Sequence, residues 1–122
     1  MRREGRPQAH LDLLTPNDQV LISTITRGEI LYGLGRMPPG QRRRHLEREA
    51  MHLFVQFPCQ SLADAIADVY ARIKLATQRQ GTTVDENDLW IAATALHLGA
   101  VLVTADSDFQ RVPGLVLEDW TR

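Results

Sequence analysis

Cysteine is almost absent: Cys59 stands alone among 122 residues, so no disulfide forms within the chain and no cysteine-rich zinc site can be built. The four histidines, His10, His45, His52 and His97, are too far apart for an H-x-H or H-x-x-x-H metal pair. Neither G-x-x-x-x-G-K-[ST] nor G-x-G-x-x-G occurs, which leaves no glycine-rich loop to cradle a phosphate. No run approaches the roughly 18 consecutive apolar residues of a membrane span. The opening M-R-R-E-G-R-P-Q-A-H has charges but no apolar segment behind them, unlike a secretory signal. These absences make a cytoplasmic protein with no membrane association the expectation. A basic excess is missing too: 14 Lys and Arg face 15 Asp and Glu, which argues against tight, non-specific binding of nucleic acid through bulk charge.

What remains is the composition of an ordinary globular chain, 43% hydrophobic and 24% charged, at a length that suits a single domain over 1–122. Val20 to Ile22 is a short apolar run suited to a buried strand. Thr26, three residues before Glu29, has the spacing of a helix-opening capping box, followed by the apolar Ile30, Leu31 and Leu34. Met37 to Gly40 reads as a loop. From Gln41 the positions Leu46, Ala50, Leu53, Phe54 and Phe57 recur at helical spacing until Pro58. Leu62, Ile66, Val69, Tyr70 and Ile73 repeat the pattern and predict a second amphipathic helix ending near Gly81.

Asp88 to Leu98 differs, because its residues leave almost no polar face; it predicts a helix buried on most sides and ended by Gly99. Val101 to Val103 and Leu115 to Leu117 read as further strands, the latter after a Pro113-Gly114 turn. Short apolar strands alternating with helices predict an α/β domain with one mainly parallel sheet flanked by helices. The arginines at Arg2, Arg3 and Arg6, and those at Arg42, Arg43, Arg44 and Arg48, could meet a phosphate backbone. For the second cluster, interleaved with Glu47 and Glu49, a solvated helix face is the favoured reading.

Three acids stand beside the ends of apolar elements: Glu29, Asp88 and Asp106, the last followed by Asp108. Each has a structural alternative. Glu29 fits a capping box with Thr26, while Asp85 and Asp88 fit a helix start, where carboxylates accept orphan backbone N–H bonds and suit the macrodipole. Asp85 and Glu86 suit caps or supports better than ligands. Asp106 follows a strand where open α/β sheets place ligands, and an Asx-turn there needs one aspartate of the Asp106-Ser107-Asp108 pair, not both. Acids gathered at one sheet edge are what phosphodiester hydrolysis by Mg²⁺ or Mn²⁺ requires, since hard cations take oxygen ligands and activate water. An aspartate-based phosphatase is a weaker reading of Asp106-x-Asp108, because no lysine is placed to stabilise a phospho-aspartate.

The segments I-S-T-I-T-R-G-E-I-L-Y-G, E-N-D-L-W-I-A-A-T-A and L-V-T-A-D-S-D-F, in that order, resemble the PIN-domain family, and within it the VapC-like toxin ribonucleases of bacterial toxin–antitoxin systems. The resemblance runs from about residue 20 to about residue 120, and its middle and last segments are the more specific. It implies a three-layer α/β fold and an endoribonuclease that uses acids to hold Mg²⁺ or Mn²⁺ and direct water at an RNA phosphodiester. By motif match Glu29, Asp88 and Asp106 take the catalytic, metal-binding positions, with Asp108 an additional candidate ligand and Ser23, Thr26 and Thr104 as supporting hydroxyls. An RNA substrate, a cognate antitoxin protein and a homodimer are the implied partners.

One departure stands against the family pattern. PIN domains open with an apolar central strand ending in an aspartate, and no such segment precedes Val20; Asp12, in H-L-D-L-L, is in a different context. The expectation is therefore a chain that starts late, without the first acid and its strand. The alternative function is a catalytically impaired remnant that acts only as a binding module.

Overall fold

In the computed structural model the structure describes residues 20–120. The expectations about the first acid, Asp12, the arginines near the N-terminus and His10 lie outside these residues. The described chain groups into two compact units, Val20–Leu62 and the described part of Ala63–Arg122.

In the first unit the chain runs through β1 (Ile22–Ser23), α1 (Thr24–Arg36), α2 (Gln41–Gln56) and β2 (Cys59–Gln60). The two strands pair in parallel, Ile22 opposite Cys59 and Ser23 opposite Gln60. The Ile22 amide donates to the Pro58 carbonyl at 2.9 Å, and the Thr24 hydroxyl to the Gln60 carbonyl at 2.5 Å. A two-residue ladder is thereby lengthened at both ends by contacts that sequence periodicity does not reveal.

Helix α1 starts earlier than the capping-box spacing predicts. Ser23 is the N-cap, its Oγ accepting from the Thr26 amide at 2.9 Å and donating to the Thr26 hydroxyl at 2.8 Å. Thr26 is thus the third helical residue and Glu29 falls in the second turn, so the Thr26–Glu29 capping box is not formed. The physical reason is competition between two hydroxyl residues three apart, of which the one directly on the exit of β1 takes the cap. Helix α2 covers the predicted stretch, but only Ala50 of its apolar set is buried, with Leu46, Leu53 and Phe54 half-buried. The Arg27 guanidinium lies over the Phe54 ring at 4.4 Å and joins the two helices.

The second unit contains α3 (Asp64–Arg79), α4 (Glu86–Leu98), β3 (Leu102–Val103), a 3₁₀ turn (Ser107–Arg111) and β4 (Leu117–Glu118). Helix α3 buries Ile66, Val69, Ile73 and Thr77, one face at helical spacing. Its partner is α4, whose Leu89, Ile91, Ala92, Ala93, Thr94 and Ala95 are all buried, as the near-absence of a polar face predicts. Alanines there let the helix be surrounded closely. Gly99 ends α4 with φ 63°, a left-handed conformation that costs glycine little, and its amide and that of Ala100 return to the last carbonyls.

Strands β3 and β4 pair in parallel, Leu102 opposite Leu117 and Val103 opposite Glu118. The described strands therefore form two parallel pairs, one per unit, where the alternation of apolar runs predicts one sheet. The pairing of β2 with β1 was not anticipated, since Cys59–Gln60 is short and half polar. The class is α/β as expected, helix-rich with parallel strands.

Candidate functional site

The first turn of α4 is built by its cap. Asp85 is the N-cap, its carboxylate accepting from the Asn87 amide at 3.2 Å, which places Asp88 at the third helical position. Asp88 is half-buried and is followed by Leu89, 2% exposed, so its carboxylate stands at the edge of the unit's core. The positive end of the helix macrodipole favours a negative charge at this point.

The second acidic element leaves β3. The Asp106 amide donates to the Thr104 hydroxyl at 3.1 Å, and the Asp106 carboxylate accepts from the Asp108 amide at 2.9 Å, an Asx-turn that opens the 3₁₀ segment. Phe109, 5% exposed, and Val112, 3% exposed, anchor that segment from below. Asp108 lies 3.6 Å from the Arg111 guanidinium, whose other nitrogen, Nη1, donates to the Thr83 carbonyl at 2.9 Å. Arg111 so ties the turn of Asp106 and Asp108 to the loop that leads into α4.

Asp88, Asp106 and Asp108 thus belong to one unit, while Glu29 is an exposed residue of α1 in the other. Ser23 and Thr26 are engaged in capping α1, and Thr104 supports the Asp106 turn. Among the described residues no group of three or more His, Cys, Asp or Glu side chains is gathered to hold a metal. In kind the candidate donors fit a hard divalent cation, being carboxylate oxygens with no thiolate or imidazole among them.

A cluster beside Asp88 was not anticipated. The Tyr70 and Trp90 rings stack with centroids 3.9 Å apart and planes inclined by 6°. The Tyr70 hydroxyl donates to Glu86 Oε2 at 2.5 Å and accepts from Lys74 Nζ at 3.1 Å, and Lys74 also pairs with Glu86 Oε1. The Glu86 hydrogen bond holds the Lys74 ammonium above its ordinary range, and Lys74 in turn holds the Glu86 carboxyl below its own. The signal available in the sequence was the spacing Tyr70-x-x-x-Lys74, which puts both on one face of α3 beside the buried Val69 and Ile73.

The arginine cluster of α2 follows its bland reading in part. Arg43 reaches Glu47 at 3.6 Å and donates to the Met37 carbonyl at 3.1 Å, and His45 lies 3.2 Å from Glu49. No helix among the described residues is long and apolar enough to cross a membrane.

Residues 1–115 match the family model described as PIN domain. The chain is similar to ribonuclease VapC1 of Haemophilus influenzae, with 35% identity over 111 residues, 89% of this chain and 80% of that protein. Its structure is similar to VapBC-1 from nontypeable Haemophilus influenzae, with a TM-score of 0.85 and 30% identity over 97% of this chain and 87% of that one. It is likewise similar to VapBC2 from Rickettsia felis bound to a DNA fragment from their promoter, with a TM-score of 0.82 and 25% identity over 93% of this chain and 84% of that one.

Proposed function

We propose, since this chain belongs to the PIN-domain family and within it to the VapC-like proteins, that it is the toxin ribonuclease of a toxin–antitoxin pair, hydrolysing RNA phosphodiesters in the cytoplasm with residues 1–122 acting as one domain. The observation that carries this reading is the linkage of the Asp106 turn to the start of α4 through Arg111, which joins two acidic elements in one unit. Relatives named as ribonucleases support the reaction class.

Asp88 and Asp106 are the carboxylates we assign to a divalent cation, Mg²⁺ or Mn²⁺, with Asp108 as a further ligand from the same unit. Such a cation supplies Lewis-acid polarisation of a phosphoryl oxygen and an activated water when bound. The chain's own contribution is to fix the carboxylates: Asp85 caps α4, the Thr104 hydroxyl and the Asp108 amide hold the Asp106 turn, and Phe109 anchors it in the core. Bound RNA needs its phosphates near these acids, and the cation offsets a repulsion that carboxylates alone would exert.

A protein partner fits the surface of the first unit. Leu31, Tyr32, Met51 and Val55 on α1 and α2 are 45%, 67%, 53% and 85% exposed, apolar side chains of the kind that protein partners cover. We assign the cognate antitoxin to the toxin as its partner, in line with neighbours described as VapBC, and a second copy of this chain as a further partner.

The test is cleavage of RNA titrated against Mn²⁺, with EDTA and Asp88→Asn as controls. Cleavage that rises with Mn²⁺ and is lost with either control supports the reading. Cleavage indifferent to EDTA overturns the metal assignment, and none at any Mn²⁺ concentration overturns the ribonuclease.

A further inference from the structure

We propose that Tyr70 is a positioning residue for Asp88, gripping α4 by its hydroxyl two residues before that carboxylate and by its ring two residues after it. The inference rests on the assignment of Asp88 to the cation. Glu86 and Trp90 are four residues apart and so share one face of α4, the face turned to α3. Asp88, two residues from each, projects from another side of the same turn. Rotation of this turn about the helix axis therefore sets the direction of the Asp88 carboxylate, and holding Glu86 and Trp90 together fixes that rotation.

Tyr70 holds both. Its hydroxyl donates to Glu86 Oε2 at 2.5 Å, and its ring lies flat on Trp90 with centroids 3.9 Å apart. Lys74, one turn further along α3, donates to the Tyr70 oxygen at 3.1 Å and pairs with the second Glu86 oxygen. The first turn of a helix needs such an anchor, because its amides have no carbonyl partner within the helix and its end opens most readily. The ion pair alone would anchor it weakly, since Lys74 and Glu86 are 37% and 54% exposed. The stacked ring supplies what the exposed pair does not, a contact of fixed geometry that salt does not screen.

The experiment uses the full chain and Mn²⁺ alone, with binding measured by calorimetry well below each variant's melting temperature, beside kcat and KM for RNA cleavage. Tyr70→Leu removes both grips, Tyr70→Phe keeps the ring, and Asp88→Asn controls for the ligand itself. The expected result for Tyr70→Leu is roughly 10- to 100-fold weaker Mn²⁺ binding, the size seen when the outer partners of metal ligands are removed, with kcat lowered and KM unchanged. Tyr70→Phe should recover most of the affinity. Wild-type Mn²⁺ affinity in Tyr70→Leu, with binding lost in Asp88→Asn, overturns the positioning role and leaves the metal assignment standing. Wild-type affinity in Asp88→Asn overturns the metal assignment, and the positioning role with it. Should Tyr70→Leu not fold, Trp90→Leu, which removes the stacked contact from the α4 side, replaces it: weakened binding supports the grip and unchanged binding overturns it.

Discussion

The Arg111 guanidinium donates to the Thr83 carbonyl at 2.9 Å, and this bond joins two segments that sequence order separates by 28 positions. On one side lies the turn of Asp106 and Asp108, on the other the loop that becomes the first turn of α4. Arg111 also faces Asp108 at 3.6 Å, so one planar cation serves a carbonyl and a carboxylate at once.

Arg111→Lys should therefore be a poor replacement, because an ammonium has no rigid fork to reach both acceptors. The expected outcome is a cleavage rate down about tenfold with little change in melting temperature, since small displacements of reacting groups cost rate while exposed ion pairs contribute little stability. Single-turnover cleavage and a thermal melt on the same preparation check this. An unchanged rate would show that the two acidic segments do not depend on the Arg111 link.

Ser23→Ala should destabilise the protein by about 1 kcal/mol, the usual cost of losing a hydroxyl N-cap. The Thr26 amide loses its acceptor and α1 frays at the end where it leaves β1. Urea denaturation measures the difference. Ser23→Asp should restore most of it, as aspartate caps equally well.

The Lys74–Glu86 pair sets a pH window. Glu86 is held below its ordinary range by the Lys74 hydrogen bond, so its contribution is present above that ordinary range and is lost as pH falls through the lowered folded value. Lys74 is held above its ordinary range by Glu86, so its contribution is present below that range and is lost as pH rises through the raised folded value. Wild type should exceed Glu86→Gln in stability by a constant margin through neutral pH. That margin should vanish in acid, below the usual carboxylate range. A difference that persists there would assign the effect of Glu86 to packing instead of charge.

Much of this was legible in the sequence where one physical signal dominated. Helix α4 declared itself because Leu89 to Ala95 leave no polar face and Gly99 supplies the left-handed stop, and Asp85 stood at the capping position before it. Helix α3 followed from Ile66, Val69 and Ile73. Elsewhere two local signals competed. Ser23 and Thr26 are both cap formers three residues apart, and only the exit of β1 decides between them. Strand β2 is two residues after Pro58, too short for any period to register. The Tyr70, Lys74, Glu86 and Trp90 cluster is a relationship between two helices, and no window on either one contains it. Of the acids, Asp106 was placed by its strand end, whereas its Asx-turn and the Arg111 link of Asp108 depend on the fold around them.

If Asp88 and Asp106 act on one cation, removing both cannot cost activity twice, and a double-mutant comparison reads this out. Asp88→Asn, Asp106→Asn and the double variant are compared for Mn²⁺-dependent RNA cleavage, because residues that act as a unit lose activity non-additively. Each single variant should lose nearly all cleavage, and the double variant should be no worse than the poorer single. Losses that multiply would contradict a shared cation, since they would mean that the two carboxylates work at separate sites.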